Sequence, residues 1–292
     1  MLPLSSPIGV FDSGIGGLSV LQALRAELPH EQFVYLADTA HAPYGERSAE
    51  FVAERSYAIA AHLVAQHGIK ALVVACNTAT AAAIHEIRAR YPQLHLVGIE
   101  PALKPAATLS RTGRIGVIGT RGTLHSAKFG RLLASLESQA QFIVQPCDGL
   151  AHAIERSTVW ALPDSDYASE TRALCARYTG AMGRFGTKTG EIDTLVLGCT
   201  HYVFAQTELR DLLGPDVQLI ATGEPVARQT RRLLLAADAL AINTPLIGAA
   251  LLPPLPPLPL LLTTGPLAQL QTAAARWLQL PQECCRVALV DS

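Results

Sequence analysis

Two of the six cysteines stand in matched settings. Ala71-Leu72-Val73-Val74-Ala75 runs into Cys76-Asn77-Thr78, and Thr194-Leu195-Val196-Leu197-Gly198 runs into Cys199-Thr200-His201. Each is a short apolar run of the kind that makes a buried strand, followed at once by the start of a helix. Both cysteines are thereby expected at the carboxyl end of a strand and the amino end of a helix. The free N–H groups and positive dipole end of a helix favour thiolate over thiol. A thiolate can attack a carbonyl or remove a proton. A single free cysteine is most often a small buried hydrophobe. Two in equivalent places call for a chemical reason.

Polar residues lie close to both. His201 follows Cys199 by two positions. A lone histidine is usually a surface or capping residue, but beside a thiol it can bond the sulfur or a ligand and titrate near neutral pH. Asp12 ends the apolar run Ile8 to Phe11, and Asp12-Ser13-Gly14 opens a turn. Two readings stand side by side: an Asx turn or helix cap, or a carboxylate beside Cys76 that tunes or shares its proton. Gly14-Ile15-Gly16-Gly17 resembles the start of a dinucleotide fingerprint, but Ser19 occupies the third glycine position. Small residues there also let a ligand carboxylate reach backbone N–H groups. Pro43-Tyr44-Gly45 reads as a plain turn. The P-loop, zincin and α/β-hydrolase signatures are missing.

The elements that must position these residues alternate regularly. Strands are expected at Ile8 to Phe11, Phe33 to Leu36, Ala71 to Ala75 and Leu94 to Ile99. Helices are expected at Leu18 to Leu28, Ala49 to His67 (ended by Gly68) and Thr78 to Tyr91. The second half repeats the plan. Strands fall at Arg114 to Ile118, Phe142 to Val144 and Thr194 to Leu197, with helices at Ser126 to Leu136, from Gly149 to Glu155 and onward, and at Val203 to Leu213. Leu252 to Leu262 reads as a proline-rich surface loop. A last helix closes at Trp277 to Leu280, and Arg286 to Val290 reads as a final strand. Ile8-Gly9-Val10 answers Ile115-Gly116-Val117, as the Cys76 run answers the Cys199 run. Such internal similarity predicts two related lobes. The fold class is α/β: two pseudo-symmetric lobes, each a mainly parallel sheet flanked by helices, with the site in the cleft between them. We expect residues 1–101 plus 214–292 in the first lobe and 102–213 in the second.

Composition narrows the partners. The chain has 292 residues and a formal net charge of -1, so no one-signed field draws it to nucleic acid or to an anionic membrane. Its nearest approach to a membrane span, Leu246 to Leu262, is broken by prolines. Met1 to Val10 lacks the pattern of a signal peptide. The expected location is cytoplasmic, where thiols stay reduced, so the six cysteines are read as free and the adjacent Cys284 and Cys285 as incidental. No C-x-x-C pair and no zinc-spaced Cys/His set is present, and no metal is expected.

Taken together, Asp12-Ser13-Gly14-Ile15-Gly16-Gly17, Asp38-Thr39 with Pro43-Tyr44-Gly45, Cys76-Asn77-Thr78-Ala79 and Gly198-Cys199-Thr200-His201-Tyr202 resemble the glutamate racemase family in order and spacing. Thr263-Thr264-Gly265 and the helix at Trp277 resemble its carboxyl-terminal region, so the likeness covers nearly the whole chain. The resemblance implies Cys76 and Cys199 as acid/base thiols, Asp12 and His201 as their assistants and Glu155 as a supporting carboxylate. It implies substrate contacts from Ser13, Pro43, Tyr44, Gly45, Asn77, Thr78 and Thr200 as well as from Asp12, Cys76, Cys199 and His201. It implies no cofactor, and D-glutamate made for peptidoglycan. Related aspartate racemases usually carry glutamate at the place of His201, so this residue points to glutamate as the small-molecule substrate. We also expect a homodimer. Two departures are Val203, where the family often has proline, and the prolines from Pro253 to Pro259.

Two thiols suit such a reaction. Inverting an α-carbon means removing a proton from one face and returning one to the other, and two opposed groups do this without moving the substrate. One must begin as thiolate and the other as thiol, and an ordinary cysteine pKa of about 8.5 puts both states within reach. Other readings are an aspartate or hydantoin racemase, a non-catalytic amino-acid sensor, and a pyridoxal-phosphate racemase. The last needs a Schiff-base lysine, and no lysine stands in a recognisable pocket motif.

Overall fold

The computed structural model describes residues 3–159, 166–241 and 256–290. In chain order the elements are β1 (Ile8–Asp12), α1 (Leu18–Glu27), β2 (Phe33–Ala37), α2 (Ala49–His67), β3 (Ala71–Val74), α3 (Asn77–Arg90), β4 (His95–Gly98) and α4 (Leu103–Leu109). There follow β5 (Arg114–Gly119), α5 (Arg121–Leu124), α6 (Ala127–Ala134), β6 (Gln141–Pro146), α7 (Leu150–Val159), α8 (Asp166–Met182), β7 (Thr194–Gly198), α9 (Gln206–Leu213), β8 (Gln218–Ile220), α10 (Gly223–Ala236), β9 (Leu260–Thr263), α11 (Leu267–Leu278) and β10 (Cys285–Val287). They form two lobes, each a parallel sheet flanked by helices. The first sheet runs β10-β9-β2-β1-β3-β4 and the second β6-β5-β7-β8.

The inner strands β1, β2, β3 and β7 are buried along their whole length because both faces of each sheet are covered there. Alternate side chains supply two cores. In the first lobe Val10, Tyr35 and Val73 enter one core beneath α1, while Phe11, Leu36 and Val74 enter the other beneath α2 and α3. In the second lobe Leu195 and Leu197 face one core, and Val196 faces the opposite one. The long helix α2 begins on the Ser48 hydroxyl, which accepts from the Phe51 N–H, and ends where Gly68 turns left-handed at φ 54°.

Several elements differ from expectation. Leu260 to Leu262 form part of β9, a strand between β2 and β10, and not a surface loop. The prolines upstream masked a short apolar run of the kind buried parallel strands use. The other prolines of that stretch, Pro253 and Pro254, and residues 246–255 of the apolar stretch lie outside the described residues. The expected helix at Val203 divides: Thr200–Ala205 is a 3-10 turn, and α9 starts at Gln206. Val203 sits inside that turn. The short strand β8 pairs with β7 in the second sheet, beyond the expected return to the first lobe at 214. Among the described residues no helix is long and apolar enough to cross a membrane.

Candidate active site

Parallel strands deliver their carboxyl ends to one edge of a sheet, and the two sheets turn those edges towards each other. The turn after β1 brings Asp12 and Ser13, the loop after β2 brings Pro43, Tyr44 and Gly45, and β3 runs into Cys76. From the second lobe β7 runs into Cys199, Thr200 and His201. These residues, with Asn77, Thr78, Thr120 and Ala151, line a single cavity. Every residue singled out from the sequence is there except Glu155, which stands behind His201.

The Cys199 side is a chain of hydrogen bonds. Cys199 Sγ lies 3.6 Å from His201 Nδ1, and His201 Nε2 lies 2.8 Å from Glu155 Oε1. The thiol, ring and carboxylate are all buried. Burial disfavours an imidazolium, but the partners on its two nitrogens, Cys199 and Glu155, outweigh it and push the His201 pKa well up. The same Glu155 oxygen accepts from the Ile15 N–H across the cleft at 3.0 Å.

The Cys76 side is different. Cys76 caps α3, and its sulfur accepts from the Ala79 N–H at 3.4 Å. The thiol itself can donate to Ser13 Oγ, 3.8 Å away. The sequence predicts a helix end that favours thiolate. The capping N–H does pull that way, but burial and the nearby Asp12 carboxylate win, and the Cys76 pKa rises. Asp12 is fully buried. Burial lifts its pKa to about 6, against the opposing pull of His201 and the N–H groups of Gly17 and Ser13. Its Oδ2 accepts from Gly17 N at 2.5 Å and from the Thr200 hydroxyl at 3.4 Å. Its Oδ1 and both polar atoms of the Asn77 amide are buried with no protein partner among the described residues.

Two glycines of the first turn make room for the opposite lobe. A Cβ on Gly14 would come within 1.8 Å of Glu155 Oε1, and one on Gly16 within 2.4 Å of His201 Nδ1. Gly14 and Gly16 therefore leave the space that the Glu155 carboxylate and the His201 ring occupy. The Ile15 and Gly17 N–H groups, candidates for a ligand carboxylate on sequence alone, are occupied by Glu155 and Asp12.

Comparison with known proteins bears on this arrangement. The family model described as Asp/Glu/hydantoin racemase matches residues 13–230. The chain belongs to the Asp/Glu/hydantoin racemase family. It is 52% identical over 229 residues to the glutamate racemase of Ectopseudomonas mendocina, covering 78% of this chain and 82% of that one. It is 50% identical over 230 residues to the glutamate racemase of Pseudomonas paraeruginosa, covering 79% and 82%. Among solved structures it resembles a glutamate racemase isoform of Bacillus anthracis, with a TM-score of 0.80, 31% identity and coverage of 99% and 98%. It also resembles the Escherichia coli glutamate racemase solved with L-glutamate and the activator UDP-MurNAc-Ala, with a TM-score of 0.75, 27% identity and coverage of 92% and 94%.

Two further features of this racemase escaped the sequence reading. Thr120 lines the cavity, and its hydroxyl lies 3.0 Å from that of Thr78 across the lobes. The internal repeat carried the signal. Counted from Ile8 and Ile115, Thr120 stands where Ser13 stands in the first lobe. The second feature is a polar cluster that anchors the Tyr44 loop. Asp38 accepts from Tyr44 Oη at 2.5 Å, from Thr264 Oγ1 at 2.8 Å and from Arg55 through two bonds of 3.1 Å, with His41 Nδ1 at 2.9 Å. Asp38 and Thr264 lie far apart in the chain, and β9 beside β2 brings them together.

Proposed function

We propose that this racemase interconverts L- and D-glutamate, without a cofactor, by passing a proton to one cysteine and taking one from the other. One observation carries the reading: two buried sulfurs, each at the carboxyl end of the equivalent strand of a separate sheet, line the same cavity. The names of the similar proteins and the L-glutamate bound in the Escherichia coli structure support glutamate as the substrate. The product D-glutamate would supply peptidoglycan synthesis in the cytoplasm.

The two sides suit opposite starting states. Burial keeps the Cys76 proton in place, and protonated His201 supplies the counter-charge for a thiolate at Cys199. Cys199 removes the α-proton from one face, Cys76 delivers its proton to the other, and the reverse reaction exchanges the roles. The partnerless Asn77 amide offers an N–H to a substrate carboxylate, and Asp12 Oδ1 offers an acceptor to the ammonium group. The remaining cavity residues shape the pocket. We propose a first lobe of residues 1–101 and the chain from α10 onward, and a second of 102–220. The pairing of β8 with β7 supports that boundary. A homodimer belongs to this proposal and is read by light scattering on the purified protein.

The direct test follows α-proton exchange by NMR and inversion by circular dichroism in deuterated water, with D- and L-glutamate and no cofactor added. Both enantiomers should exchange and invert, while L-aspartate and a hydantoin should not. Tight glutamate binding without exchange would reduce the protein to a sensor.

The raised Asp12 pKa gives a second expectation. The acidic limb of kcat/KM should fall near pH 6, because protonating Asp12 removes the charge that faces the substrate ammonium. In Asp12→Asn the residual activity should lack this limb. A limb that stays in place would assign it to another group.

A further inference from the structure

Tyr35, on β2, is fully buried in the first lobe's core. Its hydroxyl donates to the Gly14 carbonyl oxygen at 2.5 Å. That oxygen shares a peptide unit with the Ile15 N–H, which donates to Glu155 Oε1 at 3.0 Å. The same Oε1 holds His201 Nε2, and His201 Nδ1 faces the Cys199 sulfur. One peptide plane thus links a phenol in the first sheet to a thiol on the second.

We propose that Tyr35 is a positioning residue for the Cys199 half of the reaction. Its hydroxyl holds the Gly14–Ile15 peptide with the N–H turned towards Glu155, and so keeps Glu155 on His201. This rests on the two-thiol reading above. Gly14 imposes little steric preference on its own backbone, so the orientation of that peptide must be set by its partners. Turned over, the peptide would aim its carbonyl at a buried carboxylate, and the phenol would lose its acceptor. Hydrogen bonds in series also polarise one another in a low-dielectric interior. Burial first, and then the nearby Asp12 and Glu155 carboxylates, hold the Tyr35 hydroxyl in its protonated, donating form. Around His201 the ionisable groups are Cys199, Glu155 and Asp12.

Tyr35→Phe keeps the ring and removes one oxygen. The expected result is a fall in kcat on the order of 10- to 100-fold, with KM little changed. The alkaline limb of kcat/KM should move to lower pH, because His201 without a fixed Glu155 loses its proton more readily. The Ile15 amide proton should move upfield as its bond to the carboxylate is lost. Gly14→Ala pushes Glu155 aside directly, so it should move the same limb in the same direction, and in the double variant with Tyr35→Phe the two shifts should not add if Tyr35 acts through Glu155. A merely structural role would lower the amplitude and leave the limb in place. Profiles that superimpose on the parent, or move to higher pH, overturn the assignment of Tyr35. The two-thiol reading fails separately, if Cys199→Ala keeps its turnover.

Discussion

Replacing Cys199 by alanine should slow inversion of glutamate by at least about 10³-fold in both directions, the upper part of the range for loss of a general base. Cys76→Ala should do the same. The two variants should differ in what remains. Each keeps one sulfur, and that sulfur can still reach the proton on its own face. Cys199→Ala should therefore wash the α-proton out of one enantiomer slowly, and Cys76→Ala out of the other, without inversion. Separate sheets supply the two sulfurs to one cavity, and this is why the losses should be complementary. NMR in deuterated water reads the exchange, and circular dichroism reads the inversion. If either variant inverts both enantiomers at close to the parent rate, the two-thiol mechanism is wrong. If both variants exchange the same enantiomer, the sulfurs lie on one face.

The largest effect on stability is expected at Asp38. Its carboxylate is buried and takes bonds from Arg55, Tyr44, Thr264 and His41. Burial works to raise its pKa, but these donors together outweigh burial and hold it below the ordinary carboxylate value. Asp38→Asn leaves the buried Arg55 guanidinium without its counter-charge. Breaking a buried pair in this way costs about 3–5 kcal/mol, a drop in Tm of roughly 10 °C in a chain of this size. The depressed native pKa also sets the sign of the pH dependence. The stabilisation from Asp38 is fully present above its unfolded pKa of about 3.9 and is lost as the pH falls through the lower native value. Denaturant melts of parent and variant should converge as the pH falls below about 4. A loss under about 1 kcal/mol at neutral pH would mean that Arg55 finds water or another anion and that the cluster is not the anchor described.

Both predictions concern residues that different parts of the chain must bring together, and the sequence made these legible to different degrees. The cysteines could be read because each is tied to its own strand: an apolar run that ends in a thiol places that thiol at a sheet edge whatever the rest of the fold does. The same local logic located Asp12, the loop at Tyr44 and His201. The internal repeat by itself implies two lobes. Glu155 differed, since nothing near it in sequence marks it out, and only the family resemblance pointed there. Its position beside His201 depends on how α7 packs against the 3-10 turn at Thr200–Ala205.

Local chemistry alone thus determined the residue types at the strand ends, the alternation of strands and helices, and the pairing of the two thiols. The tertiary structure decided what each group's environment does to it. A sequence shows a helix amino end at Cys76 but not the burial that overrides it. It shows the glycines of the first turn but not the carboxylate and imidazole that need their space. It shows Tyr35 as a core aromatic but not the carbonyl its hydroxyl meets. Desolvation and cross-lobe hydrogen bonds depend on distances between segments far apart in the chain, and the approach of the two lobes sets those distances.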